Sequence, residues 1–179
     1  EKAAREAVAR FEVAAKRSLL SVEPRLVTQS EFGPPSLFSA MARRFDLSVV
    51  MQSYDDQEAN NDILIEATLF ESGRPLIVVP YIQKVGLKFD RIVCCWDGSR
   101  AATRAINDAL PLLKKSQVVE LFIVRNEKTA GEREIRGVEI GSHLARHGIK
   151  VEVETMPAAD IDVADTILSH VSDCSANMI

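Results

Sequence analysis

Apolar positions along this chain alternate between two spacings, one helical and one extended. Residues 1–20 are rich in alanine, with Val8, Phe11, Ala15 and Leu19 at helical intervals, the signature of an amphipathic helix. Leu26-Val27-Thr28 is a short strand. Pro34-Pro35 opens a helix running to about Phe45, because proline suits the first helical turn. Leu47-Ser48-Val49-Val50-Met51 is a strand, and a polar stretch follows. Ile63, Leu64, Ala67, Leu69 and Phe70 suggest a helix stopped by Gly73. Pro75–Pro80 is a strand bracketed by prolines, and residues 81–89 form a connector.

The alternation then resumes. A strand is expected over 91–96, a helix over 99–115 and a strand over 118–124. A polar loop spans 126–134, and a helix reaches His147 with Gly148 just beyond it. A strand at 150–155 and a helix at 162–174 lead to a last strand opening at 176–179. Helices alternating with strands predict an α/β fold, with open parallel sheets and helices on both faces. A divergent repeat is also visible. Val22-Glu23 aligns with Val151-Glu152, helix 35–45 with 164–174, and strand 47–50 with 176–179. The expected organisation is two copies in tandem, residues 1–80 and 90–179, joined by a linker at 81–89. Each copy reads as incomplete, because the chain opens inside a helix and closes inside a strand.

Composition narrows the class. The 179 residues are 46% hydrophobic and 27% charged, an ordinary globular balance. A net charge of −4 offers no footprint for nucleic acid or an anionic membrane. No apolar run nears the roughly 18 residues of a membrane span, and no leader pattern opens the chain. The three cysteines, Cys94, Cys95 and Cys174, form neither a disulfide framework nor a zinc spacing. The cytoplasm is the expected location.

Chemistry concentrates where the strand Arg91–Trp96 ends in Asp97-Gly98-Ser99 and turns at once into a helix. Ligands bind at the carboxyl ends of strands in open α/β sheets, and a helix N-terminus there favours anions. Asp97 can serve a ligand, or it can cap the helix, since Asp and Ser are both strong N-caps. Other features read as structural. Cys94 and Cys95 are neighbours in a strand and face opposite ways. Cys174, near a helix end, gives no sign of a redox role. His143 and His147 share a helix face but lack the Glu of a zinc-protease motif. Asp56, Glu58, Asn60 and Asp62 alternate like calcium ligands, yet Asn61 and Ala67 stand where Gly and Glu are needed. Asp55 and Glu58 form a capping box instead. Arg43-Arg44 and Lys114-Lys115 complement helix C-termini.

Three stretches together resemble the tandem universal stress protein family of bacteria: the strand ending in Asp97-Gly98-Ser99, the Ala-rich helix followed by Gly148-Ile149-Lys150-Val151-Glu152, and the closing run Ser72–Pro80. The resemblance implies a parallel sheet of order 3-2-1-4-5, of the adenine nucleotide α-hydrolase-like type. It implies a stress-response protein binding an adenine nucleotide, ATP with Mg²⁺ as its companion ion. Asp97, Gly98 and Ser99 would meet the nucleotide, Val124 would face adenine through its backbone, and Met156 with Pro157 would wall the pocket. The family's glycine-rich phosphate loop has no counterpart in residues 52–61, which carry Asp55, Asp56 and Glu58 instead. The expected nucleotide site is therefore in the second copy. The resemblance also implies a homo-oligomer, or pairing of the two copies, through closing strands such as Leu76–Val79. A ligand-free dimerisation scaffold is the alternative. A slow ATPase would need a Mg²⁺ ligand and a water-orienting group, and only Asp97 is in view.

Overall fold

The computed structural model describes residues 2–26, 33–54, 59–84, 86–125, 137–157 and 161–179. Most of the short strand at 26–28, the capping box Asp55–Glu58, most of the calcium-like stretch and the loop at 126–134 lie outside the described residues. The chain divides into two compact units, Glu1–Gln83 and Lys84–Ile179. Both are α/β, with strands in parallel pairs.

In the first unit, α1 (Lys2–Arg17) is a helix with Lys16 and Arg17 in its last turn, as the helix dipole favours. Its apolar face is only partly used: Ala15 is buried, whereas Phe11 is 53% exposed, and Leu19 lies past the helix end at φ 55°. After it, α2 (Gly33–Ala42) starts on Pro34-Pro35 and packs against α3 (Ala59–Glu71). The strands β1 (Ser48–Met51) and β2 (Leu76–Val79) pair in parallel, Ser48 opposite Leu76 and Met51 opposite Val79. Burial alternates along β1, so Ser48 and Val50 face inward while Val49 and Met51 are exposed. Helices on both faces of this sheet were expected, but among the described residues one face stays open. Buried hydroxyls are satisfied within their own helices: Ser39 donates to the Pro35 carbonyl at 3.0 Å and Thr68 to that of Leu64 at 2.6 Å. The Arg43 guanidinium donates to the Glu71 carbonyl at 3.1 Å. It therefore serves the C-terminus of α3, and not that of its own helix.

The second unit is built on β3 (Arg91–Cys95), α4 (Arg100–Leu113), β4 (Val118–Arg125), α5 (Gly137–Arg146), β5 (Val151–Pro157) and α6 (Val163–Asp173). Its sheet runs β3-β4-β5. Side chains of one pleat face, Ile92, Cys94, Val119 and Leu121, pack with Ile106 and Leu113 of α4 and Leu144 of α5. The opposite face carries Glu120 and Phe122, which meet His170 of α6. Helices thus cover both faces. A Cβ at Gly137 would sit 2.5 Å from the Ile123 side chain and 2.8 Å from that of Val153, so a side chain there would force these neighbours to shift.

Beyond α6 the chain crosses back. Met178 bridges Ile92 in parallel on the side of β3 away from β4, and the Val93 N–H donates to the Met178 carbonyl at 2.9 Å. The expected last strand is here a single bridge. Asn177 Oδ1 accepts from the N–H groups of Asp90 and Arg91 at 2.9 and 3.1 Å, anchoring the start of β3.

The protein's one tryptophan, Trp96, packs against this core and reports on the second unit alone. Leu144 is fully buried. Leu144→Ala should destabilise the unit by about 2–5 kcal/mol, the usual range for a core truncation. Leu168→Ala, at an exposed position, should stay within about 0.5 kcal/mol. Urea unfolding followed by Trp96 fluorescence measures both.

Candidate functional site

Strand order reverses at β3. From β3 the chain steps to β4 and β5 on one side, then returns through α6 to reach the other side of β3 at Met178. Such a reversal opens a crevice at the carboxyl end of the strand where it occurs. The residues at that end are Trp96, Asp97, Gly98 and Ser99. The Trp96 N–H donates to the Phe122 carbonyl at 2.9 Å, extending the ladder one residue past β3. The turn follows immediately.

Asp97 Oδ1 accepts the Ser99 N–H at 2.8 Å. Gly98 sits at φ 80°, a left-handed conformation that costs a residue with a Cβ about 1–2 kcal/mol. Ser99 is the N-cap of α4: it is extended at φ −77° and ψ 161°, and its hydroxyl accepts the Ala102 N–H at 3.1 Å. The alternative in which Asp97 caps the helix is therefore corrected. Ser99 caps, and Asp97 holds Ser99 in place while its own carboxylate stays exposed. The hydrogen bond from the Ser99 side chain, helped by backbone N–H groups and opposed by partial burial, keeps the Asp97 carboxyl below its ordinary value. The first turn of α4 holds no acidic residue and begins with Arg100. Its positive end lies next to the Asp97 carboxylate, which accepts the Ser99 N–H.

Val124 and Met156 lie on the same edge. They are register partners on β4 and β5, one residue before each strand ends. Asp97, Gly98, Ser99, Val124 and Met156 thus occupy the carboxyl ends of three neighbouring parallel strands. Trp96 Nε1 is buried beside them with no hydrogen-bond partner among the described residues.

A second group of polar residues lies on the α6 face of the same sheet. Glu120, with 6% of its side chain exposed, is bonded to Arg91 at 2.5 Å and to His170 Nε2. Arg91 also reaches Glu152 at 3.2 Å. Burial lowers the Arg91 pKa, but the hydrogen bonds and charges of the two glutamates outweigh it and raise the value overall. The His170 ring stacks on Phe122, centroids 4.0 Å apart and planes 5° from parallel. Cys174 is one helical turn further along. The donor atoms of Glu120, His170 and Cys174 all lie within 4.8 Å of one another. No sequence motif connects these residues. A signal was present: Glu120 interrupts the apolar run Val118–Val124, and a carboxylate in a buried strand demands a partner.

The remaining candidates are quieter. Cys94 and Cys95 are free thiols. Burial, with a smaller contribution from the neighbouring Cys95, pushes Cys94 up to about 12, and burial raises Cys95 too. Neither is a reactive thiolate near neutral pH. The rings of His143 and His147 meet edge to face at 4.9 Å. No family model matches this chain, and no curated protein matches it either.

Carbon-13 NMR of the Asp97 carboxyl should give a titration midpoint below the ordinary value of about 3.9. Ser99→Ala should move the midpoint upward. Because the folded value is depressed, the Asp97 contribution to stability is present above the unfolded value and is lost as pH falls through the folded one. The stability deficit of Asp97→Asn should therefore shrink on acidification. A deficit that grows as pH falls would contradict the arrangement.

Proposed function

We propose that this chain is a tandem universal-stress-type protein whose second unit binds an adenine nucleotide at the carboxyl edge of β3, β4 and β5. On this reading, occupancy is relayed through conformation or assembly. The observation that carries it is the reversal of strand order at β3, directly beside the Asp97-Gly98-Ser99 turn and the N-terminus of α4. The exposed Asp97 carboxylate suits ribose hydroxyls or the adenine amine. Gly98 lets the ligand approach the backbone closely. The Val124 backbone lies against adenine, and Met156 supplies an apolar wall. Ser99 and the positive end of α4 favour the anionic side of the ligand, with Mg²⁺ accompanying a triphosphate. No nucleophile–base pair lies on this edge among the described residues, so the reading is of binding and not of turnover.

One observation favours a second reading, a scaffold that assembles without nucleotide. Among the described residues β2 pairs with β1 alone, leaving Leu76-Ile77-Val78-Val79 an apolar strand with an open edge. Such an edge pairs readily with another strand, here the same strand of a second copy.

Calorimetric titration separates the two readings. A carboxylate hydrogen bond contributes about 1.5–3 kcal/mol. Asp97→Ala should therefore weaken adenosine or ATP binding about 10- to 150-fold, measured well below the melting transition. Because no glycine-rich phosphate loop lies on this edge among the described residues of the second unit, ATP should gain little over adenosine, both binding in the millimolar range. Equal affinities for wild type and Asp97→Ala would leave the scaffold reading standing. Micromolar ATP binding by this chain would place the phosphate site elsewhere.

A further inference from the structure

We propose that Glu120, His170 and Cys174 form a site for a divalent transition-metal ion of the zinc type on the α6 face of the second unit's sheet. The three residues offer an oxygen, a nitrogen and a sulfur with all donor atoms within 4.8 Å of one another. Zinc takes this mixture of donors at about 2.0–2.3 Å, so its ligand atoms lie roughly 3–4 Å apart. To reach that spacing the directly bonded Glu120 and His170 atoms part while Cys174 closes on them, shifts on the order of 1 Å. Imidazole and thiolate select zinc-like ions over Mg²⁺ or Ca²⁺, which prefer all-oxygen shells.

Local structure presents these donors. His170 and Cys174 are one turn apart on α6, so their side chains share a helix face. Cys174 is the C-cap residue, with its N–H bonded to the His170 carbonyl at 2.9 Å. Among the described residues its thiol makes a long contact to the Val171 carbonyl, at 3.7 Å. Stacking on Phe122 sets the plane of the His170 ring. Glu120 comes from β4, a strand hydrogen-bonded to a neighbour on each side. Arg91 holds Glu120 Oε2 at 2.5 Å, while Oε1 is the atom turned to His170. That division of labour, one oxygen to an orienting partner and the other to the ion, is how bound carboxylates are fixed around metals.

Charge points the same way. Arg91 opposes a cation, but it is shared between Glu120 and Glu152, and Lys150 lies 3.9 Å from Glu152 at the exposed rim. Once Cys174 releases its proton to water and binds as thiolate, the carboxylates and the thiolate outweigh the guanidinium. With Lys150 counted the cluster is then net negative by one charge, which favours a dication. It replaces the direct His170–Glu120 hydrogen bond, and three protein ligands leave a fourth position for water or a small ligand. The other histidine pair, His143 and His147, has no third donor within reach among the described residues.

Cobalt(II) titration of the full 179-residue chain, reduced and free of chelators, is the test. Binding at this site should give a near-ultraviolet thiolate-to-cobalt band together with visible bands of a tetrahedral ion, and Zn²⁺ should bleach both. Cys174→Ser should abolish the near-ultraviolet band, and His170→Ala should weaken cobalt binding at least about tenfold. Far-ultraviolet circular dichroism and Trp96 fluorescence without metal should match wild type for Cys174→Ser, showing that the loss is not unfolding. Exchanging both His143 and His147 for Ala should leave the spectrum unchanged. The proposal is overturned if the band survives in Cys174→Ser, if it disappears in the His143/His147 variant, or if cobalt gives no band up to millimolar concentration.

Discussion

Strand β4 is the constraint on which the second unit depends. It is hydrogen-bonded on both sides and packed on both faces, and Val119 through Ile123 are all buried. One face meets the apolar side chains of α4 and α5. The other carries Glu120 into a place where a lone carboxylate is untenable. Arg91 from β3 and His170 from α6 are therefore tied to the same atom group, and through it β3, β4 and α6 are held together. Removing one member of such a buried cluster leaves uncompensated charge and typically costs about 3–5 kcal/mol, whereas well-packed apolar replacements for the whole set are often neutral. The network is accordingly better evidence of a specified arrangement than of added stability.

On the two proposals the same strand serves two kinds of chemistry at different depths. Glu120, Phe122 and Val124 point to one face because strand side chains alternate. Glu120 looks to α6, Phe122 supports the His170 ring, and Val124 reaches the carboxyl edge beside Met156. At that edge the fold supplies its generic opportunity, a strand-order reversal next to a helix N-terminus. Asp97, Gly98 and Ser99 make the opportunity particular. Their geometry is self-supporting: Asp97 fixes the Ser99 N–H, Gly98 allows the bend, and Ser99 caps α4.

Much of the element order was legible because period and punctuation agreed. Pro34-Pro35 opened α2, Gly73 and Gly148 followed helix ends at φ 68° and 79°, and the runs expected as strands at 91–96 and 118–124 became β3 and β4, each within a residue of those bounds. Alternation failed to show in β4 because both of its faces are buried. Periodicity overestimated α1, whose Phe11 stays exposed, since an apolar stripe states a capacity for burial and not the presence of a partner. The choice between Asp97 and Ser99 as the cap rests on backbone angles that composition does not encode. The cluster of Arg91, Glu120 and His170 was hidden for another reason. Its members stand far apart in sequence and are joined by strand register and helix packing, quantities that exist only after folding. No helix among the described residues is long and apolar enough to cross a membrane.

The central claim is that ligand chemistry resides at the carboxyl edge of β3, β4 and β5. Nitrogen-15 NMR of the chain titrated with adenosine tests this residue by residue. The account predicts that shifts concentrate at Asp97, Gly98, Ser99 and the first turn of α4, with Val124 and Met156 following at the same ligand concentrations. Shifts confined to the first unit, or a spectrum unchanged at saturating adenosine, would contradict it.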